Sequence, residues 1–184
     1  DATAPTTTDS GIDGLGHTSP VTVTLTAQDT VSGVAKTSYS TDGSNPTVLY
    51  TAPFTLSNEG IYTIKYYSLD KAGNPESVKT AANQVKIDKT APTGSIKINN
   101  DAAITKTRSV TLNLSASDTL SGMGSGSQMQ FSNNNIIWSR PEPYQTTRSW
   151  VLSAGRGLKT VYVKFKDGAE NWCSPKKDTI YYVP

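Results

Sequence analysis

The chain uses one opening phrase twice. It begins DATAPT at Asp1–Thr6 and reads DKTAPT at Asp88–Thr93, and the segments after each phrase come into line. VTVTLTAQDTVSG at Val21–Gly33 matches VTLNLSASDTLSG at Val110–Gly122 almost position for position. KTSYSTDG at Lys36–Gly43 faces QMQFSNNN at Gln128–Asn135 after a three-residue insertion. TAPF at Thr51–Phe54 faces PEPY at Pro141–Tyr144, and DKAGN at Asp70–Asn74 faces DGAEN at Asp167–Asn171. The order of the blocks is kept throughout, which marks a tandem duplication. Two domains are therefore expected, residues 1–88 and 89–184, each large enough to bury a core of its own, though by a small margin.

Within a unit the apolar residues alternate with polar ones. Val21, Val23, Leu25 and Ala27 point one way while Thr22, Thr24, Thr26 and Gln28 point the other, the two-residue period of a half-buried strand. Tyr62, Ile64 and Tyr66 repeat the pattern near the end of the first unit, and Val161, Val163 and Phe165 near the end of the second. No stretch keeps a helical period for three turns. Turn clusters such as DGSNP, SNEG, DKAGN and SAGRG punctuate the chain at short intervals. The pattern predicts an all-β fold of two tandem immunoglobulin-like antiparallel β-sandwiches. Sheet edges in such folds need protection from strand addition, and Lys86, Pro53, Pro143 and the pair Lys176, Lys177 stand where they serve either as guards or as ordinary solvated positions.

Composition narrows the function. One cysteine, Cys173, forbids an internal disulfide. It reads as a small residue near a turn, or as a thiol for intermolecular pairing or metal binding. With His17 the only histidine, a Cys–His catalytic pair would have to join the two units, and a zinc site lacks ligands. Seventeen basic against fifteen acidic residues leave a net charge of +2 with no long basic run, so no nucleic-acid partner is expected. No apolar stretch is long enough to span a membrane, and the first residues carry no methionine or signal-like segment, which suggests an excised piece of a longer protein. Low charge, many Ser, Thr, Asn and Gly residues and almost no cysteine suit a bacterial extracellular or cell-surface module.

The stretch YSTDGSNPTVLYTAPFTLSNEGIYTIKYYSLDKAGNPES, Tyr39–Ser77, resembles the bacterial immunoglobulin-like or fibronectin type III-like module of the chitobiase C-terminal type. MQFSNNNIIWSRPEPY and WVLSAGRGLKTVYVKFKDGAENW in the second unit resemble another bacterial immunoglobulin-like repeat, with departures at Asn134, Asn135, Glu170 and Cys173. The resemblance implies no enzyme but a spacer, presentation or adhesion segment of a secreted or surface protein. Its partners would be flanking domains of the same polypeptide and a glycan or surface ligand. Tyr62 is placed to form the corner in which a tyrosine hydroxyl bonds back to the backbone; Lys159 holds that place in the second unit, so the device is not expected there.

Three features carry possible chemistry. The loop SGMGSGS at Ser121–Ser127 is glycine-rich but lacks a helix behind it, and reads as a hairpin or inter-sheet loop rather than a phosphate cradle. In an immunoglobulin-type sandwich, Asp1, Asp29 and Asp70 should gather at one end of the first unit, and Asp88, Asp118 and Asp167 at one end of the second. Three carboxylates together supply oxygen ligands for calcium, or each simply closes an Asx-turn. Trp138, Tyr144 and Trp172 either stack on sugar faces, as in a carbohydrate-binding accessory module of a glycoside hydrolase, or fill the core; Trp150 in SWVLS reads as structural. A connection with Pro92 between the units is expected to be semi-rigid.

Overall fold

A computed structural model describes the whole chain, residues 1–184. It falls into two compact units, Asp1–Asp88 and Lys89–Pro184, and every regular element is a β-strand. The first unit holds β1 (Thr6–Ser10), β2 (Gly16–His17), β3 (Val21–Gln28), β4 (Val34–Ser40), β5 (Val48–Tyr50), β6 (Phe54–Leu56), β7 (Gly60–Tyr62), β8 (Lys65–Asp70), β9 (Lys79–Thr80) and β10 (Val85–Ile87). The second holds β11 (Thr93–Ile98), β12 (Ile104–Thr105), β13 (Ser109–Ser117), β14 (Gln128–Ser132), β15 (Glu142–Pro143), β16 (Thr147–Val151), β17 (Gly157–Lys166) and β18 (Lys176–Tyr182).

The two units use one plan. In the first, β1-β3-β6 form an antiparallel sheet, and opposite it stand β5-β4-β8-β9 and β2-β10-β7. In the second, β11-β13-β16 face a single five-stranded sheet, β12-β18-β17-β14-β15. Alternation along β3 buries Val21, Val23 and Leu25 and leaves Thr22 and Thr26 in solvent; β13 does the same with Val110, Leu112 and Leu114. These side chains meet Ile64, Tyr66, Val85 and Ile87 in the first core, and Phe131, Val161, Val163, Phe165 and Ile180 in the second. Each sheet is one-sided, as antiparallel sheets with a wet outer face are. The architecture is the immunoglobulin-like all-β sandwich in tandem.

The sheet opposite β3 is broken in the first unit only. The Tyr62–Ile64–Tyr66 alternation reads as one strand, yet β7 stops at Tyr62 and β8 starts at Lys65. Between them Thr63 accepts from the Gly43 amide and Ile64 from the Ala81 amide, each at 2.9 Å, so the backbone bonds to loops instead of a ladder. In β17 the ten residues Gly157–Lys166 run uninterrupted.

Three sequence expectations need correction. TAPF and PEPY are not equivalent: Phe54 lies opposite Val23, whereas Leu112, the counterpart of Val23, lies opposite Arg148. Shared proline and aromatic residues, four positions out of step, produced the false match. The corner at Tyr62 does form, its hydroxyl donating to Asn58 O at 2.8 Å. The second unit has it too, because the Lys159 ammonium donates to Ala154 O at 2.8 Å. A different donor does the same work. Of the supposed edge guards, Lys86 is flanked by Gly16 and Ile61 and guards no edge; Pro143 sits on the edge strand β15, and Lys177 is on a stretch of β18 that β12 does not reach.

Aligned on this frame, the cores differ at four mutually touching positions. In the first unit Thr7, Thr37, Ser68 and Glu76 form a buried polar network: the Glu76 carboxylate accepts from the Thr7 hydroxyl, the Thr7 amide (3.1 Å) and the Ser68 amide (2.8 Å), while the Ser68 hydroxyl bonds both threonine hydroxyls. Their counterparts are Gly94, Met129, Phe165 and Cys173. Phe165 fills the space, and a Cβ on Gly94 would come within 2.6 Å of its ring. Cys173 is buried, its Sγ accepting from the Phe165 amide at 3.2 Å.

Candidate functional site

The aspartates gather in two trios. Asp1, Asp29 and Asp70 bring carboxylate oxygens within 4.8 Å of one another, and so do Asp88, Asp118 and Asp167. Turn chemistry puts them there. The Asp29 Oδ1 accepts from the amides of Val31, Ser32 and Gly33 at 3.2, 2.9 and 2.7 Å. Asp118 Oδ1 accepts from Leu120, Ser121 and Gly122 at 3.0, 2.9 and 2.9 Å. The DxxSG sequence thus closes on its own aspartate in both copies. The DxAxN loops also match: Asp70 accepts from the Asn74 amide at 2.7 Å and its side chain at 2.8 Å, and Asp167 from the same two groups of Asn171 at 2.9 and 3.0 Å. Glycine at the turn is replaced without loss of geometry, since Gly73 has φ of 93° and Glu170 has 74°.

Turn closure, the alternative that sequence reasoning set beside calcium ligation, is thus made by Asp29, Asp70, Asp118 and Asp167. Burial pushes the Asp70 carboxyl up, but the donors from Asn74, the Ser32 hydroxyl and the Gly73 amide outweigh it and hold the group below the usual carboxylate value. Asp1 completes the first trio, with Oδ1 accepting from Thr3 at 2.9 Å and Oδ2 from Ser32 at 3.2 Å. Two oxygens on one calcium of bond length about 2.4 Å stand at most about 4.8 Å apart, so the spacing suits a shared hard cation.

The three aromatic candidates separate. Tyr144 packs against the core of the second unit, edge-on to Phe165 at 5.8 Å, with its hydroxyl accepting from the Ala116 amide at 2.9 Å. Trp138 and Trp172 stay at the surface, half-buried, and each lies against a lysine of β17: Lys164 Nζ is 4.4 Å from the Trp138 ring centre and Lys166 Nζ is 6.0 Å from that of Trp172. Trp138 also lines an open cleft of about 310 Å³ with Phe131, Asn133, Ile137 and Trp150. Trp150 is structural as expected, its Nε1 donating to Asn133 Oδ1 at 2.9 Å and its ring packed on Phe131. The lysines were missed by sequence reasoning. The alternation VYVKFKD was the available signal, because it places Lys164 and Lys166 on one face.

His17 Nε2 donates to Asp13 Oδ1 at 2.9 Å in the first unit, and its presence lowers the Asp13 carboxyl. Cys173 is buried in the second. No nucleophile is seen paired with a base around either residue.

Fold and site together define a tandem of immunoglobulin-like modules. Residues 14–80, most of the first unit, match the chitobiase/β-hexosaminidase C-terminal domain family. The resemblance expected for the first unit thus stands. No curated protein matches the chain. Among solved structures it is similar to the fibronectin(III)-like modules of Clostridium thermocellum CbhA, at 17% identity and a TM-score of 0.40, covering 96% of this chain and 94% of that one. It is also similar to the D00-D0 domain of intimin, at 10% identity and a TM-score of 0.42, covering 97% and 100%. A third likeness is to the sialic acid binding region of a Streptococcus sanguinis SK1 adhesin, at 13% identity and a TM-score of 0.30, covering 100% and 78%. None is close enough in sequence or superposition to transfer a role to this chain.

Proposed function

We propose that the chain is a non-catalytic extracellular segment of a larger secreted or surface protein, which spaces and presents a neighbouring domain or takes part in adhesion. In this reading calcium pins the chain to two turns at the start of each sandwich. The supporting observation is the repetition of the aspartate trio, with the same turn hydrogen bonds, in two copies whose cores have diverged at Glu76 and Cys173. A turn needs one oxygen of Asp29, and the hydrogen bonds it makes fall on Oδ1. The second oxygen is where an ion is reached. The match of residues 14–80 to a domain from the C-terminus of chitobiases supports the accessory role.

The test is a melting curve with and without calcium on the whole chain and on Asp29→Asn and Asp118→Asn. Asparagine keeps the turn acceptor and removes the charge. Calcium should raise the melting temperature of the parent, and the variants should lose that rise while melting normally in chelator. A parent curve indifferent to calcium would leave the carboxylates as turn closers only.

A further inference from the structure

We propose that the outer face of the five-stranded sheet in the second unit binds acidic polysaccharide. This goes beyond the spacer reading and does not depend on it. Along β17, Val161, Val163 and Phe165 are buried, so Tyr162, Lys164 and Lys166 share the solvent face. The register sets Lys177 of β18 directly opposite Tyr162, on the same face. Exposed Lys177 and half-buried Lys164 and Tyr162 are thereby collected on one surface of the sheet, with the largely buried Lys166 side chain beside them.

Indole rings frame this group from both sides. Trp138, from the loop after β14, lies 4.4 Å from Lys164 Nζ. Trp172, bridged to Lys166 on the other side of β17, lies 6.0 Å from its Nζ. Lysines two residues apart on a strand are about 7 Å apart, so the rings are staggered along the face by a similar interval.

Charge selects the occupant. Lys166 has a partner, Glu170 at 3.4 Å, but no carboxylate lies within ion-pair distance of Lys164 or Lys177. The Tyr162 hydroxyl carries no hydrogen bond within the protein either. Unmatched ammonium groups with a phenol between them and indoles at the margins present donors to carboxylates or sulfates and apolar planes to sugar rings. A neutral glycan would use the rings and leave the ammonium groups unmatched. A nucleic acid would use the charges, and the general charge balance of the chain gives it no wider basic surface.

The experiment is affinity electrophoresis of the whole chain through gels containing polygalacturonate, heparin or neutral hydroxyethylcellulose, with solution binding of duplex DNA as a second polyanion. Retardation is expected with an acidic glycan and not with the neutral one, and it should weaken as sodium chloride is raised. Lys164→Ala/Lys177→Ala and the single exposed variant Lys177→Glu should each weaken binding by about tenfold. Trp138→Ala/Trp172→Ala should also lose glycan binding. Passage unretarded through both acidic gels, equal retardation by the neutral polymer, undiminished binding in the lysine variants, or DNA binding as tight as glycan binding would each overturn the proposal. The calcium response described above is read from different residues, so either reading can fail alone.

Discussion

Glu76 is the residue on which the first core turns. Its carboxylate is buried and receives four donors, among them the Lys79 ammonium at 3.0 Å. Removing it in Glu76→Ala strands the amides of Thr7 and Ser68 without an acceptor, and a loss of about 3 kcal/mol or more is expected by urea denaturation. Burial alone pushes this carboxyl up, but the Thr7 hydroxyl and amide and Lys79 together hold it below its ordinary value of 4.5. A depressed carboxyl contributes fully above its unfolded value and loses that contribution as the pH falls through the folded one. The stability of the first unit should therefore drop below about pH 4.5, more steeply than in Glu76→Gln; identical pH profiles for parent and variant would remove the carboxylate from the explanation. At the matching position of the second unit the sensitive residue is Gly94. Gly94→Ala drives a methyl into Phe165 and Ser115 O, and should cost about 1–3 kcal/mol, visible as a lower melting temperature.

Among the elements, the strands carrying VTVTLTAQ, VTLNLSAS and VYVKFK were legible because strict alternation fixes which side chains turn inward. The corner was half legible. Tyr62 announces it by type, whereas Lys159 hides it, since a lysine on a strand normally signals solvent and here its stem is buried and its ammonium reaches Ala154 O. Tyr62→Phe and Lys159→Met should each lose about 1 kcal/mol in thermal unfolding, as expected for one hydrogen bond. The break between β7 and β8 was illegible, because the loops that bond Thr63 and Ile64 come from distant sequence. The aspartate trios were legible through repetition and turn chemistry together. The lysine–tryptophan pairs were not, since Trp138 meets Lys164 only through the fold of the loop after β14.

For the molecule as a whole, each unit has its own closed core and a length of about ninety residues, enough for independent folding by a narrow margin. Fragments 1–88 and 89–184 should each show a cooperative thermal transition by circular dichroism; a fragment without one would tie its stability to the rest of the chain. The four diverged positions permit a sharper test. Cys173→Glu alone buries an acid beside Phe165, but Gly94→Thr/Met129→Thr/Phe165→Ser/Cys173→Glu rebuilds the polar network, with Lys176 standing where Lys79 stands. The combined variant should lose less stability than the sum of its single changes.

That divergence also protects the chain against itself. Adjacent copies of one fold share hydrogen-bond ladders and strand lengths, so a strand from one is a ready competitor for its counterpart's slot in the other, and misassembly between neighbours is a known failure of repeated domains. Here the stretch bearing Ser68, laid in place of Phe165, would leave a void among apolar side chains, and Phe165 laid in place of Ser68 would collide with Thr7 and orphan the acid beneath it. Identity between the copies is kept where the turns are made and withdrawn where an exchange would be decided, so each half recognises its own strands as it collapses.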